Sequence, residues 1–311
     1  MPEVSLDDFA RSFGTTPDDI SSQTRALIAE YDFGYRLLDR EERDRIVLEV
    51  LRKIESDTQI IGDPERKDVW QKGWDENLRD FAESNHDLDA LTPKFIRPNQ
   101  PMRLNQDYIV PSNPTFELNY LRVFRHWLFS KYLRAVDAVY EFGCGTGFNL
   151  IELAKMYPRM KLHGLDFVPA ARDLVSKIGE IYGWNMTGHL FDMTAPDEGL
   201  QIEGGSAAVT FGAIEQLAGR FEAFLAFLLR QRPGLCISLE PTVELYDENN
   251  LVDYLAIKFH RKRGYTENYL PSLRELEAQG KIEILKVKRL FMGSLFMEGY
   301  TYMVWKPTEE S

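Results

Sequence analysis

Three glycines alternate in the run VYEFGCGTGFNL, at Gly143, Gly145 and Gly147, and a carboxylate, Glu141, stands two positions before the first. An apolar run before the glycines and apolar residues at helical spacing after them describe a strand, a tight turn and a helix. Such turns present backbone N–H groups to a ligand, most often a phosphate. The dinucleotide fingerprint G-x-G-x-x-G fails here, because its third glycine would fall at Phe148. Charge also argues against a diphosphate. Two like unit charges about 5 Å apart at an effective dielectric of ~20 repel by roughly 3 kcal/mol. Glu141 suits a cationic ligand, and a nucleoside carrying an ammonium and a sulfonium meets that requirement.

Further carboxylates fall where such a nucleoside needs them. Asp166 closes the strand-like KLHGLD, nineteen residues after Gly147, where it can accept from both ribose hydroxyls. Phe167 beside it offers a face to adenine. Asp192 closes NMTGHLFD, placed to accept from the adenine amino group, with Met193 as apolar neighbour. Cys144, inside the loop, reads as a small apolar filler. Together, E-x-G-x-G-x-G, Asp166 and Asp192 resemble the class I S-adenosylmethionine-dependent methyltransferases, over about residues 137 to 307. That resemblance implies a Rossmann-like seven-stranded sheet and S-adenosyl-L-methionine as cofactor. It also implies that the glycine turn meets the cofactor's amino-acid part and Asp166 its ribose.

Methyl transfer from a sulfonium is an in-line displacement, in which alignment alone supplies about 7–11 kcal/mol. The acceptor belongs at the C-terminal ends of the fourth and fifth strands, beside the cofactor crevice. FGAIEQL brings Glu215 and Gln216 there, and SLEPTVELYDENN brings Glu240, Glu244, Tyr246 and Asp247. Glu215 and Glu240 are the candidate catalytic carboxylates, whereas Glu244 and Asp247 read equally well as solvent-facing. Freeing an amine of pKa ~10.4 at pH 7 costs about 4.6 kcal/mol, and an aliphatic hydroxyl near ~15.7 lies about 12 kcal/mol from its anion. N-methylation of an amine or amino sugar is therefore expected, with O-methylation of a hydroxylated metabolite as the alternative. A hydroxyl acceptor needs a general base, for which His260 and His126 are the best placed histidines. No ligand spacing supports a metal. Aminopropyl transfer lacks the paired aspartates expected around a polyamine, and an intact glycine loop argues against a catalytically silent partner subunit.

The elements that position these residues alternate. DAVYEF, KLHGLD, NMTGHLF, SAAVTFGA and PGLCISLE are strand-like, and helical segments lie between most of them, which predicts a mostly parallel sheet with helices on both faces. KIEILKVKRLF and GYTYMVWKP, separated only by MGSLFME, predict an antiparallel hairpin at the sheet edge. Residues 136–311 thus form the expected cofactor-binding domain. Residues 1–135 read as a helical extension that caps the substrate: helical patterning over 23–56 and 64–84, an irregular loop over 92–114 with five prolines, and an amphipathic helix, TFELNYLRVFRHWLFSKYL. The 311 residues are 44% apolar and 28% charged, with a net charge of −12 and two cysteines, Cys144 and Cys236. A reduced, cytoplasmic protein with a small-molecule substrate is expected, since that charge disfavours bare nucleic acid and anionic membranes. HRKRG at 260–264 reads as one basic helix face.

Overall fold

The computed structural model describes residues 1–62, 66–94 and 96–308. Residues 64 and 65 of the helix expected over 64–84 lie outside the described residues. In the N-terminal third, helices α1 (Leu6–Phe13) and α2 (Ser22–Glu30) precede strand β1 (Tyr35–Leu37). Helices α3 (Arg40–Ser56) and α4 (Arg66–Glu83), strands β2 (Met102–Leu104) and β3 (Asp107–Pro111), and helix α5 (Phe116–Tyr132) follow. Local chemistry sets several boundaries. Ser5 with Asp8, and Asp39 with Glu42, form reciprocal capping boxes at the starts of α1 and α3, and Gly14 ends α1 in the left-handed conformation.

The rest of the chain runs β4 (Ala138–Phe142), α6 (Phe148–Met156), β5 (Lys161–Asp166), α7 (Pro169–Tyr182), β6 (Met186–Leu190) and β7 (Ala207–Phe211). It continues through α8 (Glu222–Gln231), β8 (Leu235–Glu240), α9 (Leu251–Arg263), α10 (Tyr269–Ala278), β9 (Ile282–Arg289), β10 (Met292–Gly293) and β11 (Thr301–Pro307). The main sheet has seven strands in the order β6-β5-β4-β7-β8-β11-β9. The first five are mutually parallel. β11 lies antiparallel between β8 and β9, with Tyr302 opposite both Leu239 and Lys288. Both the parallel sheet and the terminal hairpin agree with the expectation from sequence.

The N-terminal third adds strands to the expected helices. β1, β3, β2 and β10 form a second, antiparallel sheet, so part of the proline-rich 92–114 stretch is ordered ladder and pairs with Met292 and Gly293 from the far end of the chain. α5 is the expected helix, more deeply buried than an amphipathic pattern requires. Ten of its residues are buried, Tyr120, Arg125 and Trp127 among them, because α1 and Phe33 cover the face that the sheet does not. Phe13 stacks on Trp127 at 4.9 Å between ring centroids, and Phe9 packs edge-on to Phe33 at 4.8 Å. One hydrophobic core therefore runs from Phe9 and Phe33 through Trp127 to Val139, Leu239 and Tyr302. No helix among the described residues is long and apolar enough to cross a membrane.

Candidate active site

β4 ends in the glycine turn. Gly143, Gly145 and Gly147 all have positive φ, at 72°, 51° and 73°, a region that favours residues without a Cβ. The Gly143 and Cys144 N–H groups donate to the Leu165 carbonyl at 2.7 and 3.1 Å, tying the turn to the end of β5. Cys144 is buried, and burial pushes its thiol well above the usual range, so it fills space as expected and holds no thiolate.

Glu141 is almost wholly enclosed. Its Oε1 accepts from the Asn149 amide at 2.7 Å, while Oε2 has no hydrogen-bond partner. Burial raises its pKa to about 8, against the Asn149 hydrogen bond and the charge of Arg125, which pull it down. Arg125 is itself buried. It donates to the Phe148 carbonyl at 3.0 Å and to Asn149 Oδ1 at 3.2 Å, and its guanidinium lies 3.8 Å from the Phe148 ring centroid. Arg125, Asn149 and Glu141 thus form one polar chain beneath the turn, ending in an unsatisfied carboxylate oxygen. An ammonium is the group that satisfies it.

Asp166 braces the same loop. Its two carboxylate oxygens accept from Gly145 N–H at 3.1 Å and Val168 N–H at 3.0 Å. Burial lifts its pKa to about 6 in spite of these bonds. Phe167, like Trp70 and Trp74 of α4, packs against Val168, Ala170 and Ala171. Met193 is buried, its Cε 3.5 Å from where a Gly143 Cβ would stand. Asp192 is exposed and closes a local turn, its Oδ1 accepting from the Thr194 N–H and hydroxyl at 2.8 and 2.6 Å. Glu141, the three glycines, Asp166 and Met193 meet at one loop, with Phe167 directly after Asp166. Asp192 follows β6 with its carboxylate in solvent. These residues fit a cationic nucleoside chemically, and the indole of Trp74 rests on Gly145 in the space above the turn.

Glu215 and Glu240 come together at the ends of β7 and β8. The Glu240 carboxylate is buried and caps a single 3-10 turn, Ile214–Leu217, accepting from the N–H groups of Ala213, Ile214 and Glu215 at 3.1–3.2 Å. Burial still holds its pKa at about 7. Glu215 accepts from Gln216 Nε2 at 2.7 Å, and burial together with the Glu240 charge raises it to about 8. Both line a shallow cleft with Glu244, Thr242, Tyr269 and Met303. His260 does not line this cleft. It is buried in α9 with Nε2 3.1 Å from the Thr266 carbonyl, and burial lowers its pKa to about 4. Thr266 in turn donates to the Ile214 carbonyl at 2.7 Å, so His260 stands behind the turn that carries Glu215. His126 is bonded to Thr24 at 2.8 Å, away from the crevice residues.

Several site residues were not singled out from sequence. Glu117, in the first turn of α5, lines a second shallow cleft with Arg97, Asn99, Pro114 and Leu295. The Tyr300 hydroxyl donates to it at 3.0 Å, and burial pushes Glu117 up to about 7. Tyr300 immediately precedes Thr301, the partner of Glu240 across β11 and β8, which places it at the same end of the sheet. The available signal was a charged residue in an apolar helix, as at Glu117 and Arg125.

Five parallel strands closed by an antiparallel seventh strand, inserted before the sixth, decide the architecture. The fold is a Rossmann-like α/β fold, with the seven-stranded sheet and terminal hairpin expected from sequence. No protein-family profile matches the sequence, and no curated protein is similar to it. Solved structures resemble it at low identity. LaPhzM is 14% identical with a TM-score of 0.46, over 86% of this chain and 70% of that one. The CcbJ methyltransferase from Streptomyces caelestis is 14% identical with a TM-score of 0.42, over 60% and 89%. The [4+2]-cyclase SpnF is 11% identical with a TM-score of 0.45, over 61% and 82%. These likenesses concern fold, and a fold of this kind does not name a reaction.

Proposed function

We propose that this chain is an S-adenosylmethionine-dependent methyltransferase acting on a small molecule, with a hydroxyl oxygen as the methyl acceptor. The cofactor reading is carried by the buried Glu141 Oε2, without a partner, two residues before a turn of three positive-φ glycines. When bound, the cofactor supplies a methyl group on a sulfonium, open to in-line displacement. Glu141, steadied by Asn149 and Arg125, takes the ammonium. Asp166 holds the turn through Gly145 and offers its remaining acceptor capacity to the ribose hydroxyls. Phe167 and Met193 supply apolar contact for the base, and Asp192 is the acceptor for its amino group.

The acceptor side divides between two carboxylates. Glu240 has both oxygens occupied by backbone N–H groups and positions Glu215. Glu215, on the cleft, takes the acceptor's proton. General-base catalysis works best when the base has a pKa close to the working pH, and Glu215 at about 8 meets that condition. This moves the reading from the amine expected from sequence to a hydroxyl. N-methylation stays as the second reading, favoured by the convergence of Glu215, Glu240 and Glu244 on one cleft. His260 is assigned a positioning role, holding Thr266 behind the 3-10 turn.

The test follows S-adenosylhomocysteine by mass spectrometry after incubation with S-adenosylmethionine and panels of phenols, sugars and amines. Hydroxylated acceptors are expected to be turned over. Calorimetry showing no binding of either cofactor form ends the cofactor reading. On a substrate so identified, Glu215→Gln lowers kcat roughly 10²–10⁴-fold and removes the rise in rate as pH climbs through about 8. Unchanged kcat in that variant rules out Glu215 as the base.

A further inference from the structure

α4 lies across the glycine loop rather than beside it. A Cβ built on Gly145 would stand 2.9 Å from both Cη2 and Cζ2 of the Trp74 indole. A turn built for close backbone approach by a ligand thus has a side chain of its own chain in that place. The indole is held there by a small satellite cluster. Trp70 stacks on Trp74 with ring centroids 5.7 Å apart, and both pack, as Phe167 does, against Val168, Ala170 and Ala171, apart from the two large cores.

The other end of α4 is anchored more firmly. Phe81 is fully buried in the main core. Just beyond the helix the His86 carbonyl accepts from the Tyr182 hydroxyl at 2.7 Å, and the Leu91 carbonyl from the Thr146 hydroxyl at 3.0 Å. Between Trp70 and Trp74, immediately before the latter, sits Gly73. Nothing lies within 4 Å of where its Cβ would stand, so no packing among the described residues calls for glycine. A glycine inside a helix weakens it relative to alanine. The weak point falls one residue from the indole that covers the loop.

We propose that Trp74 gates the cofactor seat, setting cofactor affinity by competing for the space over Gly145, and that Gly73 beside it loosens α4 enough for the indole to leave. This rests on the cofactor reading above. Ligand binds only the open fraction, so the apparent dissociation constant exceeds the intrinsic one by the inverse of that fraction. Removing the indole removes the competitor.

The experiment measures S-adenosylhomocysteine binding by calorimetry and by stopped-flow tryptophan emission in the wild type, Trp74→Ala and Gly73→Ala. The wild type is expected to change emission as it binds. Trp74→Ala is expected to bind roughly five- to fiftyfold tighter, through faster association. Gly73→Ala, with a stiffer helix, is expected to associate about two- to fivefold more slowly. A Trp74→Ala variant that binds equally or more weakly, beside a wild type that binds, overturns the gate and leaves the cofactor reading intact. Binding in neither the wild type nor Trp74→Ala overturns both. Should Trp74→Ala lose its fold by circular dichroism, Gly73→Ala decides, and an unchanged association rate there ends the proposal.

Discussion

Glu141 shows what a residue's environment adds to its identity. The carboxylate beside the glycines was legible as a counterpart for positive charge, because charge follows from residue type. Its protonation was not, since that depends on burial and on Asn149, eight residues away in the first turn of α6. With a pKa of about 8 the group is largely neutral at pH 7 in the free protein. Pairing with an ammonium ionises it, so S-adenosylhomocysteine binding at pH 7 is expected to release close to one proton. Calorimetry in buffers of different ionisation enthalpy reads that number directly. In Glu141→Gln the released proton should disappear and affinity fall about 10- to 150-fold, the worth of a charged hydrogen bond. Proton release that persists in the variant would place it elsewhere.

At the scale of elements, the β5–α7–β6 unit carries Asp166 and leads to Asp192, and its spacing is set by two glycines. A Cβ on Gly188 in β6 would stand 2.0 Å from the Arg172 carbonyl oxygen, and one on Gly179 in α7 would stand 2.5 Å from the Met186 carbonyl oxygen. Backbone therefore meets backbone, with no flexible side chain to give way. Gly188→Ala is expected to destabilise the protein by about 1–3 kcal/mol or more, read from the urea midpoint. A midpoint equal to that of the wild type would mean that helix and strand separate without cost. The alternation of strands and helices around this unit was readable because period 2 and period 3.6 are local signals. β1, β2, β3 and β10, of two to five residues each, were not readable as strands: β1 and β10 have partners remote in sequence, and the short β2–β3 hairpin lies in a proline-rich stretch that reads as loop.

Over the whole molecule, the N-terminal third is bound into the sheet at several points. The Tyr302 hydroxyl donates to the Phe13 carbonyl at 2.6 Å, Ser12 to the Leu290 carbonyl at 2.7 Å, and Arg103 of β2 to the Val252 carbonyl at 2.6 Å. Close by, Arg289 is buried between Asp253 at 2.6 Å and Glu298 at 2.7 Å. Removing it as Arg289→Ala strands two acidic groups, and a loss of about 3–5 kcal/mol is expected in chemical denaturation. A loss under 1 kcal/mol would show that water reaches the cluster.

The titrating carboxyls predict a pH dependence. Glu141 and Glu215 at about 8, Glu240 and Glu117 at about 7 and Asp166 at about 6 all lie above their ordinary values. Above pH 4.5 the unfolded chain has given up these protons while the folded chain keeps them, so their contribution to stability falls as pH rises toward 8. The melting temperature of the free protein is expected to drop by several degrees between about pH 6.5 and pH 8. That window lies above the range in which four histidines, lowered by burial, add stability as pH rises. A flat or rising curve over that window would show that these groups are ionised in the folded protein.

From sequence alone, the order of strands and helices, the glycine turn and the carboxylates at strand ends were determined, because each is a matter of local periodicity or residue type. Tertiary structure alone decided which carboxylate is free to act. Glu240 is bound by three N–H groups, Glu215 faces a cleft, His260 is enclosed, and Trp74 lies on Gly145. Each depends on burial and on partners far away along the chain, which no local pattern records.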